Sequence, residues 1–250
     1  DASATVKGDG GRVVLWSDVQ KPDSVTTAQG SVLAQGGSLG GNGGQVETSG
    51  HSIDIDNFKV DTRAASPALG QTGLWLIDPF NYTIGSTQAS AISSALGTSN
   101  VDVTTATSTT SYGLSGVSGS GDITVSSNIN APTAVGKLTL TADNDIKLGA
   151  SISAGGGIVL NAKRHIDTTA TTTSLNTSNN AVVINADSDA NNTGTLWLGG
   201  LTVNPGSGNV VIRGNTITAE TTYINGSGTL TVESNGNSFS SDVQTSWFTP

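Results

Sequence analysis

The 250-residue sequence contains no cysteine and no methionine, only 4% aromatic residues and only 12% charged residues. Without cysteine there are no disulfides and no thiolate metal site, so stability must come from burial and backbone pairing. With ten basic residues and a formal net charge of −9, no Lys/Arg stripe exists to bind nucleic acid or an anionic membrane. No apolar run approaches the roughly 18 residues needed to span a bilayer, so membrane insertion is not expected. The chain opens at Asp1 with no signal peptide, which reads as a fragment or a processed piece.

What is present is glycine, at 33 positions, together with much Ser, Thr and Asn. Val, Ile and Leu recur between them with period two, the alternation of a half-buried strand. In "KLTLTADNDIKLGASISAGGGIVLNAKRHI" (137–166), Leu138 and Leu140 share one face, as do Ile146 and Leu148, then Ile158 and Leu160. Each run lasts three to five residues and gives way to Gly, Asn, Asp or Ser, which suit turns. Apolar triplets at Ile123, Leu138, Ile158, Val182, Val210 and Leu230 start 15, 20, 24, 28 and 20 residues apart, most of them after Gly. Such loose self-similarity marks a solenoid, with three short strands and three corners per coil. The fold class is therefore all-β, a three-sided parallel β-solenoid in a single domain, 1–250. Residues 1–84 are motif-bearing coils, 85–120 a helix and irregular loop, 121–240 regular coils and 241–250 a terminal tail. A repeat of about 20 to 28 residues gives roughly nine to twelve coils.

One segment departs from this pattern. "STQASAISSALG" (86–97) sets Ile92 and Leu96 at helical spacing, with Ser86 or Thr87 as N-cap and Gly97 as stop. The helix is expected to cover a face or an open edge of the solenoid. Residues 104–121 read as a long loop.

At "GDGGRVVLWSD" (8–18), "GGNGGQVETSG" (40–50), "KVDTRAA" (59–65) and "GLWLIDPFNYTI" (73–84) the chain resembles large exoproteins of the filamentous-haemagglutinin type, exported by two-partner secretion. The series continues through "ISSALGTSNVDVTT", "GDITVSSNI" and "LTLTADNDI", so the resemblance covers most of residues 1–240. It implies a right-handed parallel β-helix (β-solenoid), the shaft region of a secreted or cell-surface bacterial adhesin or fibre. It also implies an outer-membrane transporter as export partner, and it supplies no catalytic residues. The amino-terminal secretion domain of such proteins, with its Asn-Pro-Asn-Gly motifs, is absent, so the segment is expected to come from beyond it.

Several constellations invite chemistry. Asp54, Asp56 and Asp61 sit at outward positions, Asp143 and Asp145 lie close together, and Lys163, Arg164 and His165 are consecutive. A β-helical lyase or hydrolase would cluster such groups, whereas a solvated hydrophilic face needs nothing further. Asp187, Asp189 and Asn191 occupy positions one, three and five of an EF-hand-like loop, but Asn192 and Leu198 replace its Gly and Glu. They remain weak metal candidates beside an Asx-rich turn. No cofactor is expected. Asn81, Asn176, Asn191 and Asn225 head sequons and are candidate glycosylation sites.

Trp16, Trp75, Trp197, Trp247 and Phe248 are the ligand or assembly candidates. The first three stand among alternating apolar residues, either outward as stacking platforms or inward as core. Trp247 and Phe248 form an apolar tail that caps the last coil or docks on a neighbour. "ASATVKGDGGRVVLW" presents no evident cap at the other end, and open strand edges template further chains. The expected function is a structural or adhesive segment of a bacterial surface fibre, without catalysis and self-associating through its ends. Host or matrix glycans or proteins would be its partners. A carbohydrate-binding module, or a polysaccharide lyase or hydrolase, is the alternative.

Overall fold

The computed structural model describes residues 1–105, 121–168, 172–219, 222–236, 238–240, 243 and 248–249. In chain order come β1 (Arg12–Trp16), β2 (Val25–Thr27), β3 (Gly30–Leu33), β4 (Gln45–Gly50), β5 (Ser52–Asp54), β6 (Phe58–Asp61), β7 (Leu74–Pro79) and β8 (Tyr82–Ile84). Helix α1 (Ser86–Leu96) leads into β9 (Asn100–Thr104), β10 (Ile123–Val125), β11 (Ile129–Ala131), β12 (Leu138–Ala142), β13 (Ile146–Leu148), β14 (Ile152–Ala154), β15 (Ile158–Ala162) and β16 (Ile166–Asp167). There follow β17 (Thr173–Asn176), β18 (Val182–Asn185), β19 (Thr195–Trp197), β20 (Leu201–Gly206), β21 (Val210–Arg213), β22 (Thr216–Thr218), β23 (Thr222–Gly226), β24 (Leu230–Glu233) and β25 (Phe248–Thr249).

All strand pairs are parallel. The longest sheet has nine strands, in the order β1-β4-β7-β9-β12-β15-β18-β21-β24. A second has six, β22-β19-β16-β13-β10-β8, and a third six, β11-β14-β17-β20-β23-β25. Two small sheets, β2-β5 and β3-β6, flank the first strands of the long one. From β9 to β24 the chain visits the three large sheets in a fixed rotation, so each partner lies three strands away in sequence. This all-β, parallel arrangement is consistent with a solenoid.

Register explains the alternation. Val46, Trp75, Val101, Leu138, Ile158 and Val182 stack position on position across six strands of the long sheet, and all are fully buried. Thr48, Ile77, Val103, Leu140, Leu160 and Ile184 form the adjoining buried row. In-register stacking brings like side chains together, so β-branched and Leu residues fill the core coil after coil.

The triplets that start 20, 24, 28 and 20 residues apart are strands β12, β15, β18, β21 and β24 of this one sheet. The triplet at Ile123 belongs elsewhere, for β10 stacks between β8 and β13. Its spacing of 15 spans two corners and two sides of one coil rather than a whole turn.

Glycine sets the corner that precedes the nine-stranded sheet. One column runs Gly11, Gly44, Gly73, Ser99, Gly136, Gly156, Asn180, Gly208 and Gly228. A Cβ on Gly44 would lie 2.0 Å from the Gly11 carbonyl oxygen, and on Gly73 2.1 Å from that of Gly44. On Gly136 it would lie 2.0 Å from the Ser99 oxygen, and on Gly208 2.1 Å from that of Asn180. None of these glycines has positive φ; they are required by close approach of one coil to the next.

Helix α1 forms as its spacing predicts, burying Ala89, Ala91, Ile92, Ala95 and Leu96. One detail differs. Its N-cap is Gly85 with no side-chain cap bond, rather than Ser86 or Thr87. As expected it covers open edges, for it packs against β6 and β11, each at the end of its sheet, in the place of a strand on the third side. Ser93 Oγ accepts the Asn130 N–H at 2.9 Å, and Thr98 donates to the Val60 carbonyl at 2.9 Å. The loop expected at 104–121 falls mostly on residues outside those described. So does Trp247. Phe248 lies in β25, which pairs with β23. No described helix is long and apolar enough to cross a membrane.

Replacing Gly208 with Ala should cost about 1–3 kcal/mol of stability through overpacking against the Asn180 carbonyl. Gly214→Ala, whose Cβ meets nothing closer than 3.5 Å, should stay within about 0.5 kcal/mol of the parent. Urea melts of the two variants compare them directly, and equal midpoints would show that the column tolerates side chains.

Candidate functional site

The motifs "VETSG" and "WLIDP" meet as one packed unit. Strand pairing sets Glu47 opposite Leu76, Thr48 opposite Ile77 and Ser49 opposite Asp78. Trp75 points inward, 0% exposed; its indole N–H donates to Thr48 Oγ1 at 3.1 Å, and Phe58 meets it edge to face at 5.7 Å. Trp75 therefore fills the core and leaves the set of candidate contact residues.

Beside it, on the opposite face of the sheet, lie two carboxylates that alternation did not reveal. Glu47 and Asp78 are 1% and 4% exposed. Arg12 Nη2 donates to Glu47 Oε2 at 2.6 Å and Ser49 Oγ to Glu47 Oε1 at 3.1 Å, whereas Asp78 Oδ1 has no hydrogen-bond partner. Burial, with Glu47 nearby, raises the Asp78 carboxyl from an ordinary 3.8 to about 7. The two carboxyls lie side by side in a closed place, and their burial keeps them from any large substrate.

The charged corner between the long sheet and the second sheet is open. Each of its bases meets an acid from the preceding coil. Arg164 grips Asp145 with two hydrogen bonds of 2.9 and 2.7 Å, Lys163 pairs with Asp143, and Lys147 reaches Asp122 at 2.9 Å. Burial alone would push the Asp145 carboxyl up, but the Arg164 guanidinium and the His165 N–H more than offset it and hold it below its usual range. His165 Nδ1 accepts the Thr195 N–H at 3.0 Å, which places the ring proton on Nε2. Its ring lies 4.7 Å from that of Trp197. Trp197 is half-buried and continues the outward row Thr124, Lys147, Asp167. A polar row that carries a part-exposed indole before it continues to Thr218 is a surface suited to a sugar.

No family model, curated protein or solved structure matches the chain.

The remaining candidates fall apart spatially or are engaged. Trp16 is 44% exposed at the end of β1. Asp54 and Asp56 are exposed as expected, while Asp61 binds Arg63 at 2.7 Å and Gln35 at 2.7 Å. Asp187 turns inward in a left-handed conformation and is buried, whereas exposed Asn191 donates to Asp189 at 2.8 Å. The three do not converge, and among the described residues no group of three or more His, Cys, Asp or Glu could hold a metal.

Asn176 belongs to an amide ladder on the third sheet. It donates to Ser153 at 3.0 Å and Ser174 at 3.1 Å, and accepts from Asn204 at 2.7 Å; Asn225 donates to Asn204 at 3.0 Å. A glycan on Asn176 would displace one of two engaged N–H groups. Exposed Asn81 uses its oxygen alone, accepting the Asp122 N–H at 2.8 Å.

Asp78 makes stability depend on pH. Its folded value lies above its unfolded one, so between pH 4 and 7 the folded chain holds the extra proton and this contribution declines as pH rises. Asp78→Asn should flatten the fall in melting temperature between pH 5 and 7.5, by up to about 1.4 kcal/mol per pH unit. Superimposable pH profiles of variant and parent in calorimetry would contradict the assignment.

Proposed function

We propose that the chain is a shaft segment of an exported bacterial surface fibre, built as a right-handed parallel β-helix, with a structural or adhesive role and no catalysis. The observation that carries this reading is the stacking itself. Nine parallel strands superpose at about 4.8 Å per coil, giving the long sheet a length of about 38 Å, and the corner that precedes it holds mostly glycine. Strands β1 and β24 each have one partner in that sheet, so each offers an edge to a further coil. An edge of this kind pairs with another parallel strand, and a head-to-tail contact that does not close makes a filament. The resemblance of "GGQVETSG" and "GLWLIDP" to two-partner-secretion exoproteins points the same way, to an extracellular or cell-surface place and a transporter in the outer membrane. The packed Trp75–Thr48 unit gives those motifs a physical reason to occur together in such a shaft.

A carbohydrate-binding role is the second reading, favoured by the outward row that runs through Trp197. It is compatible with the first, because an adhesin shaft presents its surface along its length.

Electron microscopy of the purified chain over a concentration series tests the fibre reading. Filaments with an axial repeat near 4.8 Å that lengthen with concentration are expected. Isolated short rods at every concentration would remove end-to-end assembly from the function of this segment.

A further inference from the structure

The glycine column does more than let coils approach. It leaves a corner without side chains, and there the surface sinks into an open groove of about 570 Å³ that crosses successive coils. Its floor is Gly11, Gly44 and Gly73. Their carbonyls are already engaged by the next coil, by the N–H groups of Gln45, Leu74 and Asn100 at 2.9–3.0 Å. A peptide laid here finds no free backbone with which to extend a sheet.

The walls are different. The Gln45 carboxamide has no hydrogen-bond partner among the described residues, and Lys137 makes no ion pair within 4 Å among them. Asp102 faces the same groove, with Leu74 as an apolar patch between them. These groups offer a two-way amide, a cationic donor, one aliphatic surface and a part-buried carboxyl that already accepts from Thr139 and feels the charge of Lys137, in a row set by the coil spacing. The volume lies in the usual range for small-ligand sites. Charge on the lining balances, with Asp9 and Asp102 against Arg12 and Lys137, and Arg12 is held by Glu47 at 2.6 Å. A polyanion would meet the two aspartates and a polycation the two bases. The chemistry that fits is an uncharged chain of hydroxyl groups with apolar ring faces.

We propose that this groove binds a neutral oligosaccharide lying along the stacking axis. The inference rests on the adhesive part of the fibre reading and names its ligand class and its place, which is a different corner from that of Trp197.

The test is a titration of the whole ¹⁵N-labelled chain with cellotetraose, maltotetraose and N-acetylchitotetraose, with tetragalacturonate as the acidic counterpart, followed by amide shifts. At least one neutral sugar should move the amides of Gly44, Gly73 and Asn100 and the Gln45 side chain. Gln45→Ala and Lys137→Ala, each with the parent's melting temperature, should each weaken that binding about five- to tenfold, the worth of one or two hydrogen bonds. Tighter binding of tetragalacturonate would overturn the neutral class. Shifts confined to the surroundings of Trp197 would overturn the groove and keep the adhesive reading. No shift with any sugar at millimolar concentration would overturn the groove and leave the shaft role to the filament experiment.

Discussion

Everything in this molecule follows from the hydrogen bonds that run along the stacking axis. Each strand's N–H and C=O groups point at the coils above and below, so adjacent coils must sit about 4.8 Å apart wherever a strand runs. Along a strand that distance suits any residue, because side chains stand perpendicular to the axis. At the corner before the long sheet the chain turns, and the Cβ would point at the neighbouring coil's carbonyl, about 2 Å away. Glycine is the residue that satisfies the ladder there. The two exceptions put their side chains to use: Ser99 Oγ accepts the Thr62 N–H at 3.1 Å, and Asn180 donates to the Gly155 carbonyl at 2.8 Å.

The same ladder dictates the interior. Because register is in step, an inward residue lies directly over its counterpart, and a large one must be matched by smaller neighbours. Trp75 is flanked in its row by Val46 and Val101. Its one polar atom is satisfied by Thr48, an inward threonine in a row otherwise apolar from Ile77 onward. A buried N–H without a partner would cost on the order of 1–3 kcal/mol, so Trp75 and Thr48 are coupled although 27 residues separate them. Helix α1 meets the same demand in another way. It needs no partner strand for its backbone, so it can stand between β6 and β11 where the third side changes from one sheet to another.

Much of this was legible in the sequence. Period-two alternation marked the strands, and a glycine one or two residues ahead of most runs of the long sheet marked the corner. The spacings 20, 24, 28 and 20 are the steps between successive neighbours of the nine-stranded sheet. What escaped was phase. In "LWL" and "VETS" apolar or small residues stand on both faces, so alternation cannot say which face is inside; pairing decides, and it turns Trp75 in and Trp197 partly out. The triplet at Ile123 looked like its successors because a three-residue strand carries no mark of the sheet it joins. Glu47 and Asp78 were hidden for a related reason. An acid in a strand reads as outward and solvated, and here the outward face is itself covered. The joint presence of the two motifs was the available signal, since residues that meet in space tend to be specified together.

Where a fold is built from a repeating ladder, the groups able to recognise a partner are those the ladder leaves over. Backbone groups are taken, axial asparagines such as Asn176 and Asn204 are tied to one another, and the bases of the charged corner are held by acids one coil away. Two surfaces are then left to meet a partner, one beside the glycine floor and the other the outward row that runs through Trp197. Both are open and elongated along the axis. A partner that matches them must itself be extended and repetitive, with many weak contacts rather than one deep anchor. For such a partner affinity grows with the number of coils engaged, so a longer stack would hold it more tightly without any change in the contact made at each coil.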